Sequence, residues 1–308
     1  MAIVTTQSYA VTGNREHLLN LVVDVTPRNA YLFRNLKKDR AYTRRIDWQT
    51  RALTAAASNS VFEGAAISVA SAPASTLVSN YTQLMEKTWG VSTSEDATNW
   101  AGDTGGKYVK KLMEEAWTEL SRDTEFELVQ GTSATGATAT NKRKMSGFQE
   151  VISTNKSTAT AARNWSRALH NALMETTFTN GGDPDLAYCK PAAKTDFGNF
   201  PADTGGGSGS VVRTQTAGSQ ILKDSFEVYQ DNFGERKIVS NPFAIPTATA
   251  SGGIFFIRTD MCSLFFLQYT QQKELAFTNH STDYVVWHEL TLHWGNEKGH
   301  AVGRQIDN

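Results

Sequence analysis

A helical pattern of unusual length constrains this chain more than any other feature. Val109, Leu112, Met113, Ala116, Trp117 and Leu120 recur at spacings of three and four, with Lys110, Lys111, Glu114, Glu115 and Glu119 between them. That is the signature of a helix with one apolar stripe. Asp103 or Thr104 can cap its start and Gly131 ends it. From 104 to 130, about 25 residues rising ~1.5 Å each make a rod of about 38 Å. A rod of that length is the main strut of whatever domain holds it.

The stretch before the strut is of a different kind. Arg40 to Gln49 alternates loosely and is rich in strand formers, and a second strand-like run covers Tyr81 to Trp89. Between them lie Ala55-Ala56-Ala57-Ser58-Asn59-Ser60 and Phe62-Glu63-Gly64, a segment poor in hydrophobic residues. Residues 35–95 therefore predict two extended strands joined by an excursion, a hairpin standing off the body. Such a projection cannot bury itself and needs another molecule to lie against. Residues 1–34 open with a polar, Thr-rich segment, followed by His17 to Val23 and Pro27. They predict an arm with one anchoring element.

After the strut, residues 132–146 form a surface loop containing Asn141-Lys142-Arg143-Lys144. A solvated loop is the simpler reading; contact with acidic protein or packaged nucleic acid is the functional one. A second amphipathic helix is expected from Ala162 to Phe178, with Trp165, Leu169, Ala172 and Leu173 inward and Gly181-Gly182 as its stop. Strands are expected at Leu186–Cys189, Phe226–Tyr229, Lys237–Val239, Ile254–Ile257, Ser263–Gln268 and Tyr284–Trp294. The turn Asn232–Glu235 makes a hairpin of the second and third, and Gly205–Ser210 is a loop tip. The order of strand hairpin, long helix, mixed block and strands defines an α+β chain without internal repeats.

Charge limits the partners. Lys and Arg total 30 against 31 for Asp and Glu, a formal net charge of -1. A protein that lives by gripping nucleic acid carries a basic excess, so contact with it here is weak and local. Cys189 and Cys262 form no C-x-x-C pair. Two buried thiols in a reducing cytoplasm are the simpler reading, and a disulfide between them stays open. No signal-peptide pattern opens the chain. The longest apolar run, Gly253 to Ile257, falls far short of the ~20 residues of a membrane helix.

Three motifs come near to chemistry and miss. Ala101 to Tyr108 resembles a phosphate-binding loop, but three residues separate its glycines instead of four and Tyr108 follows the Lys. His288-Glu289-Leu290-Thr291-Leu292-His293 resembles a zinc-protease helix with one residue too many. Its β-branched and aromatic context predicts a strand, where His288 and His293 face opposite sides. Around Ser208, Ser210 stands where a nucleophile elbow needs Gly. No catalytic, cofactor-binding or metal residue is assigned.

Taken together, arm, projecting hairpin, spine helix, mixed block and returning strands resemble the HK97-fold major capsid proteins of tailed bacteriophages. Ile46-Asp47-Trp48-Gln49-Thr50-Arg51-Ala52-Leu53, Glu63-Gly64, and Asn80 to Leu84 reaching Val91-Ser92-Thr93-Ser94 are similar to the SU10-like major capsid group. So are Glu125 to Gly131, Glu289 to Leu292 and Asn296 to Ala301. Ile46-Asp47 departs from relatives, which often carry His-Glu before the Trp. The resemblance implies an N-terminal arm (1–34), an extended hairpin loop (35–95), a peripheral domain (96–160 with 260–308) holding the spine helix, and an axial domain (161–259). It implies hexamers and pentamers closing an icosahedral or elongated head around double-stranded DNA. The subunit would join the virion after assembly in the host cytoplasm. Its partners would be other copies, portal, decoration and a separate scaffold protein (none precedes the arm), weakly held DNA, and no membrane. Trp48, Phe62, Glu63, Lys142, Arg143 and Lys144 are the candidate contacts between subunits. A compartment shell of the same fold, or a cytoplasmic hydrolase using His288 and His293, are the alternatives.

Overall fold

The computed structural model describes residues 30–67, 74–97, 108–136, 141–161, 163–200, 227–242, 252–277 and 280–306. Most of the arm, the expected caps Asp103 and Thr104, residues 101–107 of the phosphate-loop lookalike, and the Gly205–Ser210 tip lie outside them. The elements are α1 (Tyr31–Asn35), β1 (Lys37–Arg40), β2 (Arg45–Thr50), β3 (Thr76–Tyr81), β4 (Gln83–Ser92), α2 (Thr93–Asp96), α3 (Tyr108–Gln130), α4 (Phe148–Val151), β5 (Lys156–Ser157) and α5 (Arg167–Thr179). Then follow β6 (Leu186–Cys189), α6 (Pro191–Asn199), β7 (Val228–Asp231), β8 (Gly234–Ser240), β9 (Gly252–Ile257), β10 (Ser263–Glu274), β11 (Ser281–His293) and β12 (Ala301–Arg304).

Two sheets carry the chain. One is four-stranded in the order β1-β10-β11-β4, the other six-stranded in the order β5-β12-β9-β6-β8-β7. β2 and β3 pair only with each other, Arg45 opposite Tyr81 and Thr50 opposite Thr76, and form the root of the hairpin. The strut packs on the four-stranded sheet. Ala116, Leu120, Leu128 and Val129 of α3 share one core with Val286, Leu290 and Leu292 of β11. Lys87 on β4 reaches Asp123 (2.9 Å) and Glu119 (3.5 Å) at the rim. A second core forms between α5, α6 and the six-stranded sheet, around Trp165, Met174, Phe197 and Phe256. At its centre the Asp231 carboxylate accepts from His170 Nε2 (2.8 Å) and pairs with Arg236, all three side chains almost fully buried. Burial alone would raise the Asp231 carboxyl; the bonds from His170 and Arg236 outweigh it and hold it at about 2.

Several expectations need correcting. In the run Arg40–Gln49 only Arg45–Gln49 belong to the hairpin strand β2; Arg40 is the last residue of β1, and the chain turns between them at residues 41–44. Tyr81–Trp89 is not the hairpin's return strand. That role falls to β3, while β4 pairs with β11 inside the four-stranded sheet. The second helix begins at Arg167, capped by Ser166 Oγ, and Trp165 lies just before it. His170, Leu173, Met174 and Thr177 face inward, whereas Ala172 is exposed. On the strut, Trp117 turns outward at 39 % exposure, its indole reaching Gln272 Oε1 at 3.3 Å. Burial shifts instead to Thr124 and Glu125. Residues 301–304 form β12 in the six-stranded sheet beside β9 and β5, a short strand that no local pattern announces. α6 begins with Pro at its first position, a helix start that the sequence reading missed. Cys189 and Cys262 are free and buried, without a disulfide, and burial pushes the Cys189 thiol up to about 12.

Gly303 on β12 lets the Trp165 ring lie flat against the sheet. A Cβ there would stand 2.8 Å from ring carbon Cζ3. The ring is locked in a buried core and cannot step aside cheaply. Gly303→Ala is expected to destabilise the folded subunit by about 1–3 kcal/mol, read as a lower midpoint in denaturant unfolding.

Candidate functional site

The projecting hairpin stands off the two sheets, and a set of aromatic and polar contacts anchors its root. Beyond β2 the chain runs over residues 51–67 without regular structure, apart from a turn closed by Ala65 N–H on Phe62 O at 3.0 Å. Leu53, Val61, Phe62 and Ile67 are 81–96 % exposed there. Phe62 and Glu63 sit at the turn and face solvent. Four large apolar side chains on one segment are thus left uncovered by the rest of the subunit.

The root is held differently. Trp48 lies edge-on to His293 and to Trp294, with ring centroids 4.7 Å away in each case, and its Nε1–H donates to Gly295 O at 2.7 Å. Trp48 is thus half-buried and serves to fix the hairpin's exit angle within the subunit. The polar run behind it does similar work. Asn80 donates to Leu292 O (2.7 Å) and accepts from Ser146 N (2.9 Å), and Gln83 accepts from Met145 N (3.1 Å). Thr82 Oγ1 donates to Glu289 at 2.6 Å.

The basic cluster divides in two. Arg143 donates to Thr82 O at 2.5 Å and pairs with Glu289, so its guanidinium is committed inside the subunit. Lys142 and Lys144 are exposed on either side of it. His288 and His293 face opposite sides of β11. His288 is buried beside Thr124 (2.9 Å) and held near 4 by burial and by the Lys38 charge, while His293 meets Trp48 on the other face. They cannot share a metal ion. Among the described residues no group of three or more His, Cys, Asp or Glu could hold one. Nor is any helix among them long and apolar enough to cross a membrane.

The support that the sequence reading missed is Glu125. It sits on α3 fully buried and accepts from Leu32 N–H (2.9 Å) and Phe33 N–H (2.8 Å), the first free amides of α1. The residue before α1, Ala30, has no side chain to cap it. Glu125 also accepts from Tyr188 Oη at 2.7 Å, reaching β6 in the other sheet. Burial raises its carboxyl above the usual carboxylate range, and the donors from Leu32, Phe33, Tyr188 and Tyr31 oppose that shift. The signal was in plain view: a Glu four residues before the inward Val129, on the strut's buried stripe.

The overall fold is that of shell-forming proteins, the HK97-like architecture. It is similar to a solved structure from Mycobacterium phage Bobi, with 11 % identity, 97 % of this chain and 98 % of that chain covered and a TM-score of 0.65. It is also similar to the capsid of a native GTA particle, with 10 % identity, coverage of 100 % and 99 % and a TM-score of 0.67. The SrpI encapsulin complex of Synechococcus elongatus PCC 7942 matches with 10 % identity, coverage of 99 % and 97 % and a TM-score of 0.60. No curated protein matches the chain. The model of the SU10 major capsid protein family matches residues 4–307, and the chain belongs to that family.

Replacing Glu125 by Ala leaves two helix amides and a tyrosine hydroxyl buried without an acceptor. Glu125→Ala is expected to cost about 3 kcal/mol of stability, against roughly half that for Glu125→Gln, which keeps one carbonyl acceptor. Denaturant unfolding of the free subunit checks both.

Proposed function

We propose that this major capsid protein forms hexamers and pentamers that close an icosahedral or elongated phage head around double-stranded DNA, acting as wall and not as catalyst. The observation that carries this reading is the hairpin: a root pinned by Trp48 and, on its otherwise small and polar excursion, the large apolar side chains of Leu53, Val61, Phe62 and Ile67 left uncovered by their own subunit. A surface of that kind is buried when many copies meet through several moderate contacts, and closure then follows from symmetry and avidity. Phe62 and Glu63 at the turn, with Lys142 and Lys144, are the side chains that we assign to neighbouring subunits or to DNA. Trp48 and Arg143 contribute by holding the root and the loop in place.

In this reading the four-stranded sheet with α3 is the peripheral domain, the six-stranded sheet with α5 and α6 the axial domain, and the residues before α1 the arm. Portal, scaffold and decoration proteins are the expected partners, with assembly in the host cytoplasm and residence in the virion. The near-neutral charge suits a container that must not grip its contents.

Deleting Thr54 to Thr76 removes the projecting segment and leaves both sheets intact. The deletion variant is expected to stay folded by circular dichroism while negative-stain microscopy finds no closed particles. Normal shells would overturn the hairpin's bridging role. Nuclease-resistant DNA inside particles of the unaltered protein separates a phage head from a compartment shell.

A further inference from the structure

The chain passes between the two sheets by two short strand-to-strand crossings. One leads from β9 through residues 258–262 into β10, and the other from β11 through residues 294–300 into β12. His300 is fully buried where they meet, and its ring joins them. Nδ1 accepts the backbone N–H of Arg258 at 3.1 Å, on the first crossing. Nε2 lies 2.8 Å from Trp294 O, on the second. A carbonyl can only accept, so Nε2 carries the proton and Nδ1 keeps its lone pair. The hydrogen-bond network thereby assigns one neutral tautomer. The same junction anchors other parts: Asn155 Nδ2 donates to Lys298 O (2.8 Å) and His300 O (3.0 Å), and Trp48 donates to Gly295 O (2.7 Å).

We propose that His300 is a proton-operated latch between the two sheets: neutral, it ties the crossings together, and protonated, it lets go of Arg258. A proton on Nδ1 would place two donors against each other and leave the part-buried Arg258 amide without this acceptor. The groups around the ring do not provide a substitute. From the first crossing come the Cys262 thiol, with Sγ 3.9 Å from Nε2, and the Asp260 carboxylate, which is engaged with the Arg258 guanidinium at 2.9 Å. Asp185, before β6, accepts from Thr259 N at 2.6 Å. Glu297, on the ring's own crossing, accepts from Ser153 N (3.2 Å) and Thr154 N (3.1 Å). From α4 the uncharged Phe148 ring stands edge-on at 5.7 Å.

Burial lowers the His300 imidazole below the usual 6.5; the Trp294 carbonyl and the carboxylates of Glu297, Asp185 and Asp260 pull the other way without cancelling it. Folding thus favours the neutral ring. The stability it contributes is complete above the unfolded value of 6.5 and is lost as pH falls through the lower folded value. Acid is expected to loosen the junction between the sheets while each sheet's interior holds.

Hydrogen–deuterium exchange on the free full-length subunit tests this, and it does not depend on shell closure. Failure of the capsid reading would leave the test intact. With intrinsic rates corrected, peptides covering 254–262 and 293–301 should exchange about tenfold faster at about pH 5 than at about pH 7.5. In His300→Gln, whose amide offers an acceptor and a donor without titrating there, the step should vanish. The proposal is overturned if the step persists in His300→Gln or is absent from the unaltered protein. If the variant does not fold, the unaltered protein decides alone. A step confined to peptides around His170 or His288 overturns the assignment to His300.

Discussion

A buried carboxylate organises this subunit. Removing an ionisable group from water is costly, and the cost is bearable only where donors converge on it. Glu125 meets that condition with two backbone amides of α1 and the Tyr188 hydroxyl. Those donors come from α1 and from a strand of the six-stranded sheet, while Glu125 itself rides on the strut. Three parts whose apolar side chains (Leu32, Leu128 and Leu186 among them) meet in one core are thereby also fixed in orientation relative to one another. Trp48 completes the frame from the other face of β11, fixing the hairpin's root against the junction where the sheets exchange strands.

Much of the architecture was legible because its signals are periodic. The strut announced itself by apolar spacing, and its end at Gly131 matches. The hairpin was legible as an excursion too polar to bury itself, and His288 and His293 were separated by nothing more than the alternation of a strand. What escaped were features set by distant partners. Val109, Leu112 and Met113 are only half-buried and Trp117 faces outward, since the sheet supports the strut chiefly from Ala116 onward. The return strand was misplaced because Thr76–Tyr81 and Gln83–Ser92 have similar strand character, and only pairing tells them apart. A short strand such as β12 joins a sheet whose other members lie far back in the chain, which no local pattern reveals.

The candidate contacts divided along the same line. Phe62 and Glu63 were readable as exposed because nothing in their neighbourhood could cover them. Lys142, Arg143 and Lys144 form one run of charge in sequence, yet Arg143 turns back to Glu289 across 146 residues and only its neighbours remain at the surface. The motifs behind the family resemblance gain a physical meaning here. Asn80, Thr82, Gln83 and Glu289 stitch the hairpin's return to the loop after the strut, and Asn296 and Glu297 shape the second crossing through bonds to Lys298 N, Ser153 and Thr154.

The late position of β12 bears on when a subunit becomes competent. The six-stranded sheet draws on β5 at 156–157 and β12 at 301–304, and β12 supplies the link between β5 and β9. A ribosome must therefore release the chain through β12 before that sheet can close over Trp165. Until then the hairpin's root also lacks the Trp294 and Gly295 against which Trp48 docks. A nascent chain would thus carry an unanchored hairpin until the strands on both sides of the junction have been made.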